Sequence, residues 1–470
     1  MAKKESKEKS LDTLSKELMA DRRHGYLKVS DNEMKKAFKF SEGYKEFLDA
    51  GKTERECVDF AVKAAEEAGF VPFDRTKKYN AGDKVYYNNR GKAICIAVIG
   101  KEGVKKGVRI IAAHIDSPRI DLKPIPIVES NEQALLKTHY YGGIKKYQWL
   151  AIPLAMHGKV VRKDGTEVTI SIGEKPGEPQ FCITDILPHL GKDQAAKKMA
   201  EAVTGEDLNI LAGSFPAGKE KCEKTYKLNV LKILNEQYGI IEEDLASAEI
   251  EFVPAFKAAD VGFDHSLIGS YGHDDRVCAY PAVEALLKTK TPKQTAIVVL
   301  ADKEEIGSMG NTGLASDFLR YFVADMAEAE GLVPRHVLSD STCLSADVTA
   351  AYDPNFASCF EADNTCFINH GVGVSKYTGA RGKGGSNDAS AEFVGQIRRC
   401  FENNDVLWQI GELGKVDQGG GGTVALEVAA LNVDVLDVGV PVLSMHAPWE
   451  VVSKLDVYMA YKAFKAYIED

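Results

Sequence analysis

The chain has 470 residues, more than one ordinary compact core accommodates, so the length predicts two domains. Hydrophobic residues at 44% and charged residues at 27% are the proportions of a folded globular protein and exclude disordered or fibrous architectures. A net charge of −10 argues against a nucleic-acid surface, which needs a basic footprint.

The charged N-terminal stretch MAKKESKEKSLDTLSKELM carries no apolar core of a signal peptide, and no segment approaches the ~18 apolar residues of a membrane helix. The expectation is a cytoplasmic protein that uses no membrane, with the first 20 residues frayed or loosely helical. The nine cysteines include no CxxC pair, which predicts free buried thiols in a reducing compartment.

Helical spacing of Val58, Ala61, Val62 and Ala65 predicts a helix within residues 31–69, stopped at Gly69. The runs Ala93–Ile99 and Val108–Ala113 are short, apolar and β-branched, as expected of strands covered on both faces. Residues 126–255 differ in character. LAIPLAMHGKVV and EVTISIG flank the turn KDG as a hairpin, AEIEFVPA follows as a further strand, and no catalytic-looking cluster stands out. This stretch is expected to be a β-rich domain inserted between two halves (1–125 and 256–470) of an α/β domain. Beyond residue 262 the pattern returns to strand and helix: helix over Cys278–Leu287, strand over Thr295–Ala301, and helix over Ser316–Glu330. A further helix lies within 387–403, strands within 431–442 and a closing helix over 454–468. Alternation of this kind implies a largely parallel or mixed sheet between helical layers.

Five segments carry chemistry. AAHIDSP places His114 after a buried strand with Asp116 two residues on, within reach to orient the imidazole. YGHDDRV offers His273, Asp274 and Asp275, where one carboxylate could join two cations; the alternative is a helix cap. VVLADKEEIGS sets Glu304 and Glu305 after another apolar strand; adjacent side chains diverge, so only a special turn aims both at one site, and a solvated acidic loop is the alternative. LSADVTAAYDP holds Asp347 and VPVLSMHAPWE holds His446. Each is weak alone. Together, imidazoles and carboxylates suit zinc, manganese or cobalt, and a pair of such ions can polarise a carbonyl and activate water.

With KGGSNDAS, these segments occur between residues 111 and 450 in the order seen in the aspartyl aminopeptidase family, which the sequence resembles over nearly its whole length. These are dinuclear zinc exopeptidases that also include the yeast vacuolar aminopeptidase, and the likeness is strongest to the bacterial branch. The resemblance implies a zinc-exopeptidase α/β/α fold with residues ~126–255 as a dimerisation domain. It implies two divalent ions, zinc first with cobalt or manganese as alternatives, and peptide substrates. It further implies a homo-oligomer, a dodecamer built from dimers. His114 and Asp347 would hold one ion, Glu305 and His446 the other, and Asp275, matched on Arg276 and Val277, would bridge them. Glu304 would be the general base for a metal-bound hydroxide nucleophile, and Asp116 would orient His114. Arg381 and Lys383, in KYTGARGKGGSN, fall where the family places basic residues, implying a pocket for acidic N-terminal side chains; a mobile basic loop is the alternative. Gly419–Gly422 and Thr423 are expected to line the same cleft. The sequence departs from the family at Pro448 and Trp449. His189 matches a substrate-site histidine supplied by a neighbouring subunit, while its expected companion falls at Asp193. The competing functions are an aminopeptidase for neutral or hydrophobic N-termini, a two-metal N-acyl amino acid hydrolase, and a non-catalytic assembly protein.

Overall fold

A computed structural model describes residues 9–470. A nine-stranded sheet forms its centre. Four neighbouring strands, Thr295–Ala301, Val108–His114, Thr342–Ser345 and Asp434–Gly439, run parallel in that spatial order, while Ala93–Val98 and Val372–Ser375 flank them antiparallel. Register aligns Ala301 with His114 and Ser345 with Asp437, so the carboxyl ends of all four strands open on one edge.

Two-sided burial is written into these strands. In the Val108–His114 strand, Val108, Ile110 and Ala112 enter one core, with Phe318, Phe322 and Met326 of the Phe318–Ala329 helix. Ile111 and Ala113 enter the other, with helices Asp31–Ala50, Glu54–Glu67, His273–Leu287 and Lys454–Glu469. Side chains alternate across a strand, so an unbroken apolar run fits a sheet covered on both faces. The expected helices and strands all form, with ends shifted by a few residues: Ser316–Glu330 shortens to Phe318–Ala329, and the helix within 387–403 is Ala391–Asn403. Leu11–Leu18 is a regular helix capped by Ser10, with no residue buried. All nine cysteines are unpaired and six are buried.

A second, seven-stranded sheet draws on residues between Arg119 and Pro254. Its first strand, Arg119–Ser130, begins ahead of residue 126 because it runs directly out of the AAHIDSP segment. Leu154–Val161 and Glu167–Ile172 pair as the expected hairpin. This sheet has its own core around Trp149, Phe252 and Ile210. A small five-stranded sheet, including Pro441–Leu443 and Glu450–Ser453, frames the loop that carries His446.

Candidate metal centre

The chemistry-bearing residues converge where the four parallel strands end. His114 is the last residue of its strand, and its Nδ1–H donates to the Asp116 carbonyl at 3.0 Å. The His446 Nδ1–H likewise donates to the Gly143 carbonyl at 2.8 Å. Both rings thus have one nitrogen tied to the backbone and Nε2 turned inward. This is the arrangement by which a protein fixes tautomer and direction of a metal-binding imidazole.

Between the two Nε2 atoms lies the carboxylate of Asp274, with Oδ1 at 3.1 Å from His114 and Oδ2 at 3.2 Å from His446. Asp347 stands on the His114 side, 3.8 Å from its Nε2, and Glu305 on the His446 side at 3.5 Å. The resemblance implied Asp275 as the shared residue, whereas here it is the Asp274 carboxylate that lies between the imidazoles. Asp275, joined to Asp274 by a cis peptide, accepts the His114 backbone N–H at 3.2 Å. Its ligand atoms gather with those of His114 and Asp347 alone. Both aspartates have non-helical backbone, and Asp275 directly precedes the first regular turn of the helix, the position of a cap.

Glu304 and Glu305 reach the cluster through a short 3-10 turn, entered through Lys303 at φ +69°. Asp116 holds this turn with both oxygens, Oδ1 accepting from Glu304 N–H at 3.1 Å and Oδ2 from Glu305 N–H at 3.2 Å. The Tyr141 hydroxyl adds a third bond to Oδ2 at 2.8 Å. Glu450, fully buried, joins the other side, accepting the His446 N–H at 2.7 Å and the Asp274 N–H at 3.1 Å.

The electrostatics call for cations. Burial, and then the surrounding carboxylates against the pull of His114, pushes Glu304 up to about 8. Burial also drives Asp275 upward, with Asp347 next to it. Burial lowers His446, but the hydrogen bond and charge of Asp274 outweigh it and hold the ring up at about 10. Asp274 Oδ1, Asp275 Oδ1 and Glu305 Oε1 are buried without hydrogen-bond partners. Buried carboxylates with free lone pairs facing two oriented imidazole nitrogens fit divalent ions of the zinc type.

A cleft of about 450 Å³ opens over the cluster. Its floor is Asp274, Glu304, Glu305, Asp347 and His446, and its walls include Val348, Thr349, Leu413, Met445 and the Gly420–Thr423 run. Among the described residues, no lysine or arginine lines it. Arg381 and Lys383 instead border a smaller recess of about 40 Å³ next to it, and Lys383 Nζ is held by Asp388 at 3.2 Å and lies over the Tyr377 ring. His189 sits on an exposed segment and does not line the cleft of its own chain.

Sequence reasoning ranked Asp274 behind Asp275, and it gave no role to Tyr141–Gly143, which come from the insert expected to carry no catalytic cluster. A Gly-Gly pair directly after an aromatic strand was the available signal, since paired glycines mark close backbone approach.

The family described as Aminopeptidase I zinc metalloprotease (M18) matches residues 47–468. A probable M18 family aminopeptidase 1 of Clostridium acetobutylicum is 46% identical over 97% of this chain and 99% of its own length. One of Thermotoga maritima is 47% identical over 92% and 95%. The crystal structure of the Thermotoga maritima M18 aminopeptidase superposes with a TM-score of 0.92 at 44% identity, covering 96% of this chain and 99% of that one. That of yeast aminopeptidase 1 does so at 0.75 and 20% identity, covering 92% and 97%.

Proposed function

The chain belongs to peptidase family M18, the zinc metallo-aminopeptidases, and from that premise we propose that it removes single residues from free peptide N-termini with Asp274 shared between two zinc ions. The observation that carries this reading is the Asp274 carboxylate, which offers one oxygen to the side of each inward-facing imidazole. His114 and Asp347 complete one ligand set, with Asp275 beside it, and His446 and Glu305 complete the other. Zinc held there supplies a Lewis acid that polarises the scissile carbonyl and lowers the pKa of water.

Glu304 is the proton carrier. Its carboxylate faces the cleft 3.9 Å from His114 Nε2, free of the bonds that occupy Asp116. A carboxyl group so placed takes a proton from the attacking water and returns it to the departing amine. Glu304→Gln is expected to keep both zinc ions by metal analysis while kcat falls about 10²–10⁴-fold. Near-normal turnover removes Glu304 from this role. Asp274→Asn is expected to lower zinc content at both positions, and Asp275→Asn at one. The reverse pattern returns the shared position to Asp275.

For the N-terminal side chain we favour neutral and apolar residues. The cleft walls include apolar and small residues, and among the described residues no lysine or arginine lines them to receive a carboxylate. The acidic preference rests on Arg381 and Lys383, which border the neighbouring recess and share Thr378, Leu413 and Gly420 with the cleft. Hydrolysis rates for Leu-, Asp- and Glu-anilides separate the two: a strong Asp or Glu preference overturns the neutral reading.

Self-association through the inserted unit, in dimers and then a dodecamer, fits the apolar side chains it leaves exposed, among them Ile125, Leu190, Met199 and Phe215. His189 could then act in a neighbouring subunit's cleft. Sedimentation at micromolar concentration tests this, and a monomer there overturns it.

A further inference from the structure

Three consecutive residues at the exit of the Gln133–Tyr141 strand each touch a different part of the metal centre, although the strand belongs to the seven-stranded sheet. Tyr141 donates its hydroxyl to Asp116 Oδ2, the carboxylate that clamps the Glu304–Glu305 turn. Gly142, at φ +74°, packs on Glu305 so closely that a Cβ would sit 3.2 Å from its Oε2. Gly143 offers its carbonyl to His446 Nδ1, and a Cβ there would sit 3.3 Å from the same nitrogen.

From this contact we infer that Tyr141, Gly142 and Gly143 are positioning residues for the aminopeptidase reaction: the inserted unit sets the direction of His446, Glu305 and, through Asp116, Glu304. The inference rests on the ligand assignment proposed above.

The Tyr141 ring is itself held. The Arg119 guanidinium lies 3.9 Å from its centroid, and Arg119 is fixed by Asp121 at 2.8 Å and by Glu54 and Glu251 at 3.4 Å. Burial, with Asp116 next, drives the phenol far above its ordinary range, so the hydroxyl keeps its proton and donates. A buried charge network thus backs a single hydroxyl aimed at Asp116. The glycines answer a different demand. The chain passes so close over Glu305 and His446 that a Cβ would make these ligand side chains give by a few tenths of an ångström, and at Gly142 it does so in a backbone conformation that L-residues rarely adopt.

Tyr141→Phe keeps the ring on Arg119 and removes only the hydroxyl. In the zinc-loaded enzyme it is expected to lower kcat 10–100-fold with KM within about twofold, to weaken zinc affinity against a competing chelator, and to shift the visible spectrum of the cobalt-substituted form. Tyr140→Phe, one residue earlier, is expected to change none of these. Gly142→Ala is expected to weaken zinc affinity through Glu305. A Tyr141→Phe enzyme with wild-type kcat, zinc affinity and cobalt spectrum overturns the inference for the hydroxyl, and unchanged zinc affinity in Gly142→Ala overturns it for the glycine. His114→Ala and His446→Ala serve as references. If they retain both ions, the ligand assignment fails; if they lose zinc while Tyr141→Phe and Gly142→Ala do not, only the present inference fails.

Discussion

At the residue scale, the Asp116 carboxylate ties three segments of the site together. Its two oxygens accept two backbone N–H groups and a phenol, and His114 lies beside it. Burial opposes its charge, but bonding to His114 and Tyr141 holds it below its ordinary value. Asp116→Asn keeps the shape and turns one acceptor into a donor facing a donor. The expected result is a loss of about 1–3 kcal/mol of stability and a kcat lower by about 10–100-fold, read by thermal melting and steady-state kinetics. An unchanged kcat removes the clamp from the catalytic account. The same scale shows where sequence reading stops. Asp274 and Asp275 are identical neighbours, and only the backbone path between them decides which faces both imidazoles. Glu304 and Glu305 raised the same difficulty, and the 3-10 turn resolved it by bringing both to the cleft.

Among elements, the Glu54–Glu67 helix and the Leu154–Val161 strand are tied by one imidazole. Glu56 uses Oε2 to accept the Lys52 and Thr53 N–H groups, completing a capping box with Thr53, and Oε1 to meet His157 Nδ1 at 2.8 Å. Glu174 approaches the other ring nitrogen at 3.4 Å. Burial disfavours the imidazolium, but the two glutamates prevail and raise His157 from 6.5 to about 9. A histidine raised on folding stabilises the folded chain fully below its unfolded value, and the gain fades as pH climbs through the folded value. His157→Gln should therefore lower Tm most below about pH 6.5, and the gap from wild type should close toward pH 9. A gap independent of pH across that window shows that the ring contributes by packing alone. Elements themselves were largely legible, because apolar runs in two-sided strands and Gly or Ser boundaries are local signals. The Tyr141–Gly143 contact was not, because its partners Asp116, Glu305 and His446 come from three separate segments and no spacing encodes their meeting.

For the whole molecule, the order of matching segments made the α/β architecture and the family readable, while the path of the loop beside the cluster was not. Arg381 and Lys383 lie in a glycine-rich loop whose path no periodicity fixes, and that path leads to the smaller recess. Zinc should couple to global stability, since the ligands come from segments far apart in the chain and no such site exists unfolded. Removing metal with a chelator is expected to lower Tm by several degrees, and saturation with zinc at about 100 times its Kd to restore about 2.7 kcal/mol. A Tm indifferent to chelation means that the cluster is held by the fold without help from the ions.

The passage of Tyr141–Gly143 over the metal ligands also bears on when the enzyme becomes active. Peptide-bond hydrolysis is hazardous in a half-made chain, and here contacts to Asp116, Glu305 and His446 come from outside the central sheet. Docking of the second sheet delivers the last contacts. On the positioning role proposed for these three residues, a molecule whose insert is misfolded or clipped is expected to hydrolyse peptides more slowly than the intact chain.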